Sequence, residues 1–197
     1  MPGAAPNSTV DEILGILRLS AGSGYIGEPI SQLDHALQAA HFARAAGCSE
    51  EMILAALLHD MGHLVADANA PQMDDLGVLH HEHIGGAFLS ARGFSRTVTE
   101  LVEGHVQGKR YLVHRDAAYR NRLSEASKGT LQFQGGAMSE SEAQEFESDP
   151  LFGSKIQLRR FDEVAKRVDF KVEPLDAYLP MLMKHLVEFA ADQSGGK

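Results

Sequence analysis

An adjacent histidine and aspartate, His59 and Asp60, follow an apolar run within the segment AALLHDMGHL. By itself, such a pair is weak evidence for a metal site, because polar residues are common where a helix ends. Candidate ligands of the same two types occur elsewhere in the chain, namely His35, His81, His105 and Asp162. Imidazole and carboxylate groups together suit iron, manganese or zinc, and a set without thiolates argues against structural zinc. The candidates are too far apart for a zinc finger, so tertiary folding must assemble them.

Several candidates have an ordinary structural alternative. The chain contains ten histidines, and a lone histidine is more often a surface or core residue than a ligand. His41, His114 and His185 are therefore assigned no role. Asp162 follows two arginines and is equally well interpreted as a solvated charge on a helix face.

Three neighbouring histidines, His80, His81 and His83, compete for one position in the set. The pattern HEHIGG places a glycine pair one turn after His81, which would let a neighbouring helix approach closely beneath that side chain. We therefore choose His81 and keep His83 as the alternative.

Further polar residues lie near the candidate ligands in the sequence. His63 comes four residues after His59 and so shares its helix face, close enough to touch a bound substrate. Lys109 and Arg110 follow His105 by about one turn, and cations beside a metal site would favour an anionic substrate. The alternatives are a helix-end histidine and a solvated basic pair.

Helix signals recur along the whole chain, so the elements that position these residues are expected to be helices. Capping patterns are present at Thr9 with Glu12, at Ser31 with Asp34 and at Ser139 with Glu142, while Ser49 and Ser95 are single caps. Predicted helices cover residues 10–19, a run from 32 that Gly47 closes, 50–64, 81–92, a stretch after 95, a short acidic helix after 139, 155–168 and 175–190.

The predicted fold class is therefore all-α, with a single domain over residues 1–197 and tails at about 1–8 and 191–197. No segment shows the sustained alternation of a strand. Segments 21–29, 65–79 and 109–136 interrupt the helical pattern and are expected to be loops that form the walls of a site.

Composition excludes several classes of protein. The chain has 197 residues, 44% hydrophobic and 23% charged, which is typical of one globular domain. A net charge of -9 argues against nucleic-acid binding. No run of about 18 apolar residues and no signal-peptide pattern is present, so we expect a cytoplasmic protein without a membrane partner. The single Cys48 cannot form an internal disulfide. No oligomeric state is predicted.

A family resemblance rests on these residues and on four motifs, QLDHALQAA, AALLHDMGH, EGHVQGKRYLV and YIGEPI. His35, His59, Asp60 and Asp162 resemble the defining pattern of HD-domain proteins, and the additional histidines resemble the subset that holds two metals. Over residues 24–186 the chain is similar to the PhnZ/TmpB-like mixed-valence di-iron oxygenases of organophosphonate catabolism, which are relatives of inositol oxygenase. The resemblance implies an HD-domain helical bundle with a dinuclear metal site.

The resemblance also implies the ligand set and the cofactors. Two iron ions in the mixed-valence Fe(II)/Fe(III) state would be used, with dioxygen as co-substrate. One iron would be bound by His35, His59, Asp60 and Asp162, and the other by His81 and His105, with Asp60 bridging. Tyr25 would ligate the second iron at rest and move away with Glu28 when substrate arrives. Without the resemblance, YIGEP is interpreted as an ordinary turn.

The implied substrate is a 1-hydroxyphosphonate, with Lys109, Ser127 and Thr130 binding its anion. Ser127 and Thr130 lie in SEASKGT, which we expect to be a loop. The reaction would release phosphate, together with glycine from the 2-amino compound or glycine betaine from the 2-trimethylammonio compound. Glu28 suits either amine, and the choice stays open. Aromatic residues available for a partial cage are Tyr25, Tyr111, Tyr119 and Phe133.

Two other interpretations compete with the oxygenase. An HD-domain phosphohydrolase acting on nucleotides would need the same first four ligands, so His81, His105 and the segment with Tyr25 and Glu28 are the discriminating features. A non-catalytic HD module should have lost part of the ligand set, which is intact here.

Overall fold

The computed structural model describes residues 5–25 and 27–194, and over these the chain is built from helices without a strand. This confirms the all-α prediction. None of the described helices combines the length and the apolarity that a bilayer crossing requires. Two 3-10 turns lie at Ser20–Gly22 and Leu175–Tyr178. The α-helices are α1 Pro6–Leu19, α2 Gln32–Ala45, α3 Glu50–Leu58, α4 Met61–Val65, α5 His81–Ser90, α6 Arg96–Arg115, α7 Ala117–Arg122, α8 Glu125–Phe133, α9 Glu140–Glu147, α10 Phe152–Val164 and α11 Leu179–Ser194.

Four predicted helix starts are confirmed by their caps. Ser31 and Ser139 each form a complete capping box with the residue three positions later. Ser49 and Ser95 accept hydrogen bonds from the backbone N–H groups of Met52 and Val98. These side chains satisfy backbone donors that a helix N-terminus leaves without intrahelical partners.

Several predicted boundaries are wrong. Helix α1 begins at Pro6 rather than at residue 10, and Thr9 is a buried residue inside it instead of a cap. Proline is favourable in a first turn, where its missing N–H has no intrahelical role. At the other end of the chain, a 3-10 turn precedes α11, which continues to Ser194 into the expected tail. Helix α10 begins earlier and ends earlier than predicted, at Phe152 and Val164.

The segment 109–136 is also largely helical, contrary to the loop that we expected. Helix α6 continues to Arg115, and α7 and α8 follow it. The caps Asp116 and Ser124 start these two short helices by accepting backbone hydrogen bonds. Ser127 and Thr130 therefore lie on a helix, which fixes their side chains more firmly than a loop would.

The predicted helix 50–64 breaks at His59 and Asp60, where α3 ends and α4 begins. Asp60 leaves helical geometry with φ -97° and ψ 11°. In an uninterrupted helix of 3.6 residues per turn, consecutive side chains diverge by about 100°. The break therefore allows two adjacent polar side chains to face the same point.

Helix α3 forms the centre of the bundle. Every residue from Met52 to Leu58 is buried, and the helix packs against α2, α6, α10 and α11. A helix that is apolar on all sides is stable only when it is surrounded by other elements. The core thus fixes the end of α3, where His59 and Asp60 lie.

Glycines allow α4 and α5 to approach each other closely. A Cβ atom at Gly62 would lie 1.8 Å from the backbone oxygen of His81, and one at Gly85 would lie 3.1 Å from the backbone nitrogen of Gly62. The close approach of these two backbones sets the position of His81 relative to His59.

Gly62→Ala should therefore destabilise the protein by about 1–3 kcal/mol, since a methyl group at this point must push α5 away. Gly15→Ala is the matched control, because a Cβ at Gly15 in α1 meets nothing within 4 Å. That control should be neutral or stabilising by about 0.5–1 kcal/mol. Denaturant unfolding of metal-stripped protein measures both, and equal stability of Gly62→Ala and wild type would contradict the packing argument.

Candidate metal centre

Four buried histidines from different elements converge between the helices. His35 lies on α2, His59 at the end of α3, His81 at the first position of α5 and His105 in the middle of α6. Asp60 comes from the break after α3, and Asp162 lies near the end of α10. The structure thus brings together all six of the histidine and aspartate ligands predicted from the sequence.

The six side chains form two groups, His35 with His59 and Asp162, and Asp60 with His81 and His105. Within each group the potential ligand atoms all lie within 4.8 Å of one another. The Nε2 atoms of His35 and His59 are 3.0 Å apart, and those of His81 and His105 are 3.1 Å apart. Each group offers three ligand atoms around one point.

Asp60 connects the two groups through its two carboxylate oxygens. Its Oδ2 lies 3.6 Å from Nε2 of His35 and 3.4 Å from Nε2 of His59. Its Oδ1 lies 3.4 Å from Nε2 of His81 and 3.7 Å from Nε2 of His105. One carboxylate therefore faces both groups, which is the arrangement of a bridging ligand.

Backbone carbonyls orient the four imidazoles. The Nδ1 atoms of His35, His59, His81 and His105 lie 2.8, 2.8, 3.3 and 2.6 Å from the carbonyl oxygens of Ala165, Ala56, Val78 and Val102, respectively. A neutral ring that donates from Nδ1 directs an Nε2 lone pair into the site. Two such lone pairs about 3 Å apart repel each other unless a cation lies between them. The orientation of the rings therefore fits metal binding.

The protonation states of these residues also fit a metal. Burial lowers the pKa of His81 well below its usual value and that of His105 to about 4. Burial would raise the pKa of Asp60, but the surrounding histidines, His59 first, hold it far below its usual range. Burial would also raise the pKa of Asp162, but the adjacent Arg159 holds it well below its usual range. The buried Oδ1 of Asp162 has no hydrogen-bond partner among the described residues. Metal ligands must be deprotonated, and each of these shifts favours the deprotonated form.

Tyr25 lies against the histidine cluster. Its ring stacks on that of His35, with centroids 3.9 Å apart and planes inclined by 15°. Burial and the carboxylates of Asp60 and Asp162 raise the pKa of Tyr25 well above its usual value. A ligating phenolate at this position therefore requires a metal cation beside it.

His63 is the fifth histidine at the site, and its ring stacks on that of His81 with centroids 3.9 Å apart. The backbone N–H of Val78 donates to Nδ1 of His63 over 3.1 Å. In the neutral ring the proton is therefore on Nε2. His63 lines the cavity beside the metal-ligand groups, where this N–H is a donor for a bound oxygen.

Cations and hydroxyls also line this cavity and together form what we call its cationic wall. Nζ of Lys109 donates to Oγ1 of Thr130 over 2.9 Å, and Nζ of Lys166 donates to Oγ of Ser127 over 3.0 Å. Burial, followed by the nearby Arg159, lowers the pKa of Lys109 to about 7. An anion beside Lys109 would favour its charged form.

Two residues of this wall, Arg159 and Lys166, were not identified from the sequence. Arg159 is buried and forms an ion pair with Asp162, and its Nη2 atom has no hydrogen-bond partner within the described part of the chain. Lys166 pairs with Glu28. The available signal for Arg159 was its spacing of three residues from Asp162, which is that of helix neighbours. Lys166 lies beyond the end of α10 and had no such signal.

Several other candidates lie away from the site. The side chain of His83 is 63% exposed, so the structure places His81 in the cluster and His83 outside it. Arg110 pairs with Glu142 instead of facing the cavity. Among the four aromatic residues considered for a cage, Tyr25 lines the cavity, whereas Phe133 is exposed and the hydroxyls of Tyr111 and Tyr119 bond to Glu147 and Arg159.

Comparison with known proteins relates this arrangement to one family. The HD-domain family model matches residues 33–132. An uncharacterised protein of Acanthamoeba polyphaga mimivirus is 40% identical over 180 residues, which are 91% of this chain and 82% of that protein. The 1-hydroxy-2-(trimethylamino)ethylphosphonate dioxygenase (glycine-betaine-forming) of Leisingera caerulea is 38% identical, covering 89% of each chain. Hydroxymethylphosphonate dioxygenase of Gimesia maris is 42% identical, covering 80% of this chain and 78% of that protein.

Removal of ligands should affect the two groups differently. Asp60→Ala should abolish binding of both metals, because it removes the only carboxylate that faces both groups of the described site. His105→Ala should leave one metal bound per chain, since the group around His35 keeps its ligands. Metal analysis of the purified variants measures the stoichiometry, and His83→Ala is the matched control that should keep two metals. Two metals in Asp60→Ala, or in His105→Ala, would contradict the assignment.

Proposed function

This chain belongs to the HD-domain family, and we propose that within it the protein is an oxygenase that cleaves the carbon–phosphorus bond of a 1-hydroxyphosphonate. One molecule of dioxygen would convert a 1-hydroxyphosphonic acid into a carboxylic acid and phosphoric acid, with all atoms balanced. Carbon and phosphorus lose the electrons that dioxygen gains. The names of the relatives from Leisingera caerulea and Gimesia maris support this reaction class.

The observation that carries the proposal is a single small cavity, of about 40 Å³, between the metal-ligand groups and the cationic wall. A substrate there would contact both the metals and the anion-binding side chains. Its lining includes both the residues of the metal-ligand groups and their neighbours, Tyr25, Asp60, His63, His81, His105 and Asp162, and the residues of the cationic wall, Lys109, Ser127, Thr130, Arg159 and Lys166.

We propose that two iron ions occupy the two groups, in the mixed-valence Fe(II)/Fe(III) state. His35, His59 and Asp162 would hold one iron, His81 and His105 the other, and Asp60 both. Tyr25 would be a further ligand of the second iron at rest. When bound, the iron pair would supply a binding site for dioxygen and the one-electron redox chemistry that its activation needs, which amino-acid side chains alone do not provide.

The cationic wall would bind the phosphonate group. Lys109 and Thr130 already form a hydrogen-bonded pair, so their donors are positioned before substrate arrives. Ser127 adds a hydroxyl from the preceding turn of α8. Charge-assisted hydrogen bonds of this kind are stronger than neutral ones and would hold the substrate in one orientation. His63 would donate its Nε2–H to a substrate oxygen near the second group, and Tyr25 with Glu28 would move aside.

Candidate 1-hydroxyphosphonates differ in the substituent on the carbon that bears phosphorus. The family resemblance implies a 2-amino or 2-trimethylammonio substituent, which would give glycine or glycine betaine. The relative from Gimesia maris is named for hydroxymethylphosphonate, in which that substituent is hydrogen. All three compounds share the hydroxyl and phosphonate groups that the cavity would recognise.

The rival function is hydrolysis of nucleotide phosphoesters by a metal-activated water. It would require only His35, His59, Asp60 and Asp162, and it leaves the second metal-ligand group and Tyr25 without a role. The proposed oxygenase would act on a small molecule in the cytoplasm, without a nucleic-acid or membrane partner, as the acidic composition and the single free Cys48 suggest.

The proposed function predicts that iron-loaded protein releases phosphate from hydroxymethylphosphonate or its amino analogues only in the presence of dioxygen. Lys109→Ala should weaken phosphonate binding by about 1.5–3 kcal/mol, which is roughly a 10- to 150-fold higher Kd, without altering metal content. Phosphate release with and without dioxygen, and the Kd for methylphosphonate, measure these effects.

Arg110→Ala is the matched control for the lysine, because Arg110 carries the same charge on the adjacent position but pairs with Glu142. Phosphate release from nucleotides without dioxygen would instead support the hydrolase. An unchanged Kd in Lys109→Ala would show that Lys109 is not part of the anion site.

Tyr25→Phe should remove a visible absorption band and preserve the fold. A phenolate bound to ferric iron absorbs visible light by charge transfer, so the oxidised resting protein should be coloured, and the band should bleach or shift when a 1-hydroxyphosphonate displaces Tyr25. Absorption spectra of the two iron-loaded proteins make the comparison, with circular dichroism as the control for folding. Absence of the band in wild type, or its persistence in Tyr25→Phe, would contradict the resting-ligand role.

A further inference from the structure

Lys166, just beyond the end of α10, is held in a network on the wall of the cavity. Its Nζ lies 3.1 Å from Oε1 of Glu28, 3.0 Å from Oγ of Ser127 and 3.3 Å from Oγ of Ser124. The side chains of Lys166 and Glu28 are only 13% and 12% exposed. Breaking a pair that is so well shielded from water is costly, because it leaves a buried charge without a partner.

From this network we infer that Lys166 makes the site selective for a 1-hydroxyphosphonate whose substituent on the carbon bearing phosphorus is small and carries no positive charge. The inference rests on the proposed function and specifies its substrate. Lys166 acts as a specificity-determining residue because it occupies the carboxylate that an ammonium substituent would otherwise use.

The charges around the cavity support this selectivity. Among the described residues that line it, the carboxylates are Asp60 and Asp162, and both face the histidine groups. Glu28 lies behind Lys166 and is already paired. An ammonium group entering this space would be buried beside Lys109, Arg159 and Lys166 without a free anionic partner, which is costly.

The apolar part of the wall likewise does not suit a trimethylammonium group. Quaternary ammonium ions are bound by the faces of aromatic rings. Apart from the histidines, Tyr25 is the one aromatic residue among the described residues that line the cavity. One face of its ring is covered by His35. The remaining wall includes Met73, Val106 and Ala126, around a cavity of about 40 Å³.

Gln134 adds one polar group to this wall. Its buried Oε1 has no hydrogen-bond partner among the described residues. A neutral amide oxygen accepts a hydrogen bond from a hydroxyl or an N–H group, but it does not neutralise a buried charge. It therefore suits a small polar substituent or a water molecule better than an ammonium ion.

In this resting arrangement, the residue next to Glu28 also packs against α8. Gly27 has a φ of +66°, and a Cβ atom there would lie 3.0 Å from Cβ of Ala126 on α8. The backbone at Gly27, next to Glu28, therefore rests directly on α8 beside Ser127. Glu28 cannot turn toward the cavity unless its pair with Lys166 breaks.

The test compares hydroxymethylphosphonate with 2-amino-1-hydroxyethylphosphonate and its trimethylammonio analogue. Binding to iron-loaded protein is measured by calorimetry without dioxygen, so that affinity is separated from turnover, and phosphate release with dioxygen is then measured on the same samples. Wild type should bind hydroxymethylphosphonate at least about tenfold more tightly than either cationic compound, the size of effect expected from one unpaired buried group.

Lys166→Met keeps the length of the side chain and removes its charge, which frees Glu28. In this variant the preference for hydroxymethylphosphonate over the 2-amino compound should shrink by about tenfold, because the 2-amino compound binds more tightly. In the double variant Lys166→Met, Glu28→Gln that gain should disappear. Lys128→Met is the matched control, because Lys128 pairs with the exposed Glu125 on α8, and it should behave like wild type.

Two results would overturn the inference while leaving the oxygenase intact: wild type prefers a cationic substrate and releases phosphate from it, or Lys166→Met leaves the ratio of affinities unchanged. If none of the three compounds yields phosphate with dioxygen, the proposed function fails and the inference fails with it.

Discussion

One largely shielded carboxylate, that of Asp60, must face two pairs of imidazole nitrogens, and the rest of the structure depends on this arrangement. Asp60 can do this because α3 ends immediately before it, so that its side chain and that of His59 are directed to the same point. The apolar surroundings of α3 fix the position of the break, and Gly62 allows α5 to bring His81 within reach. The packing of α3, its end before Asp60 and the glycine at position 62 therefore all contribute to placing Asp60 between the two pairs of histidines. A buried cluster of lone pairs and carboxylates is unfavourable by itself, and metal cations are what balance it.

The second organising feature is the difference in charge between the two walls of the cavity. The ligand groups offer histidine nitrogens and carboxylates that suit cations, whereas the cationic wall offers ammonium, guanidinium and hydroxyl donors from α6, α8, α10 and the residues just after α10. A small molecule that has both a metal-binding oxygen and a phosphonate satisfies both walls at once. The protein as a whole carries a net charge of -9, so this attraction for an anion is local. Lys166 then adds selectivity, since it neutralises Glu28 and leaves the wall positively charged.

The sequence predicts best those features that depend on neighbouring residues. The caps at Ser31, Ser49, Ser95 and Ser139 act within one turn, so they identified helices correctly. The break at Asp60 was missed because the apolar periodicity continues across it. The helices of segment 109–136 were missed because they are short and mostly polar. Assembly of the six ligands was expected from family resemblance, because spacing alone does not determine which distant residues meet. Lys166 contacts Ser127 and Glu28 because the end of α10 lies next to α8. This is a property of the tertiary structure, and no pattern of neighbouring residues in the sequence indicates it.

The most direct test of a dinuclear centre bridged by Asp60 is the metal content of anaerobically purified protein together with its low-temperature electron paramagnetic resonance spectrum. A bridging carboxylate couples the two ions electronically. The account predicts two irons per chain and the signal of a coupled mixed-valence pair. One metal per chain, or two ions whose spectrum shows no coupling, would contradict it.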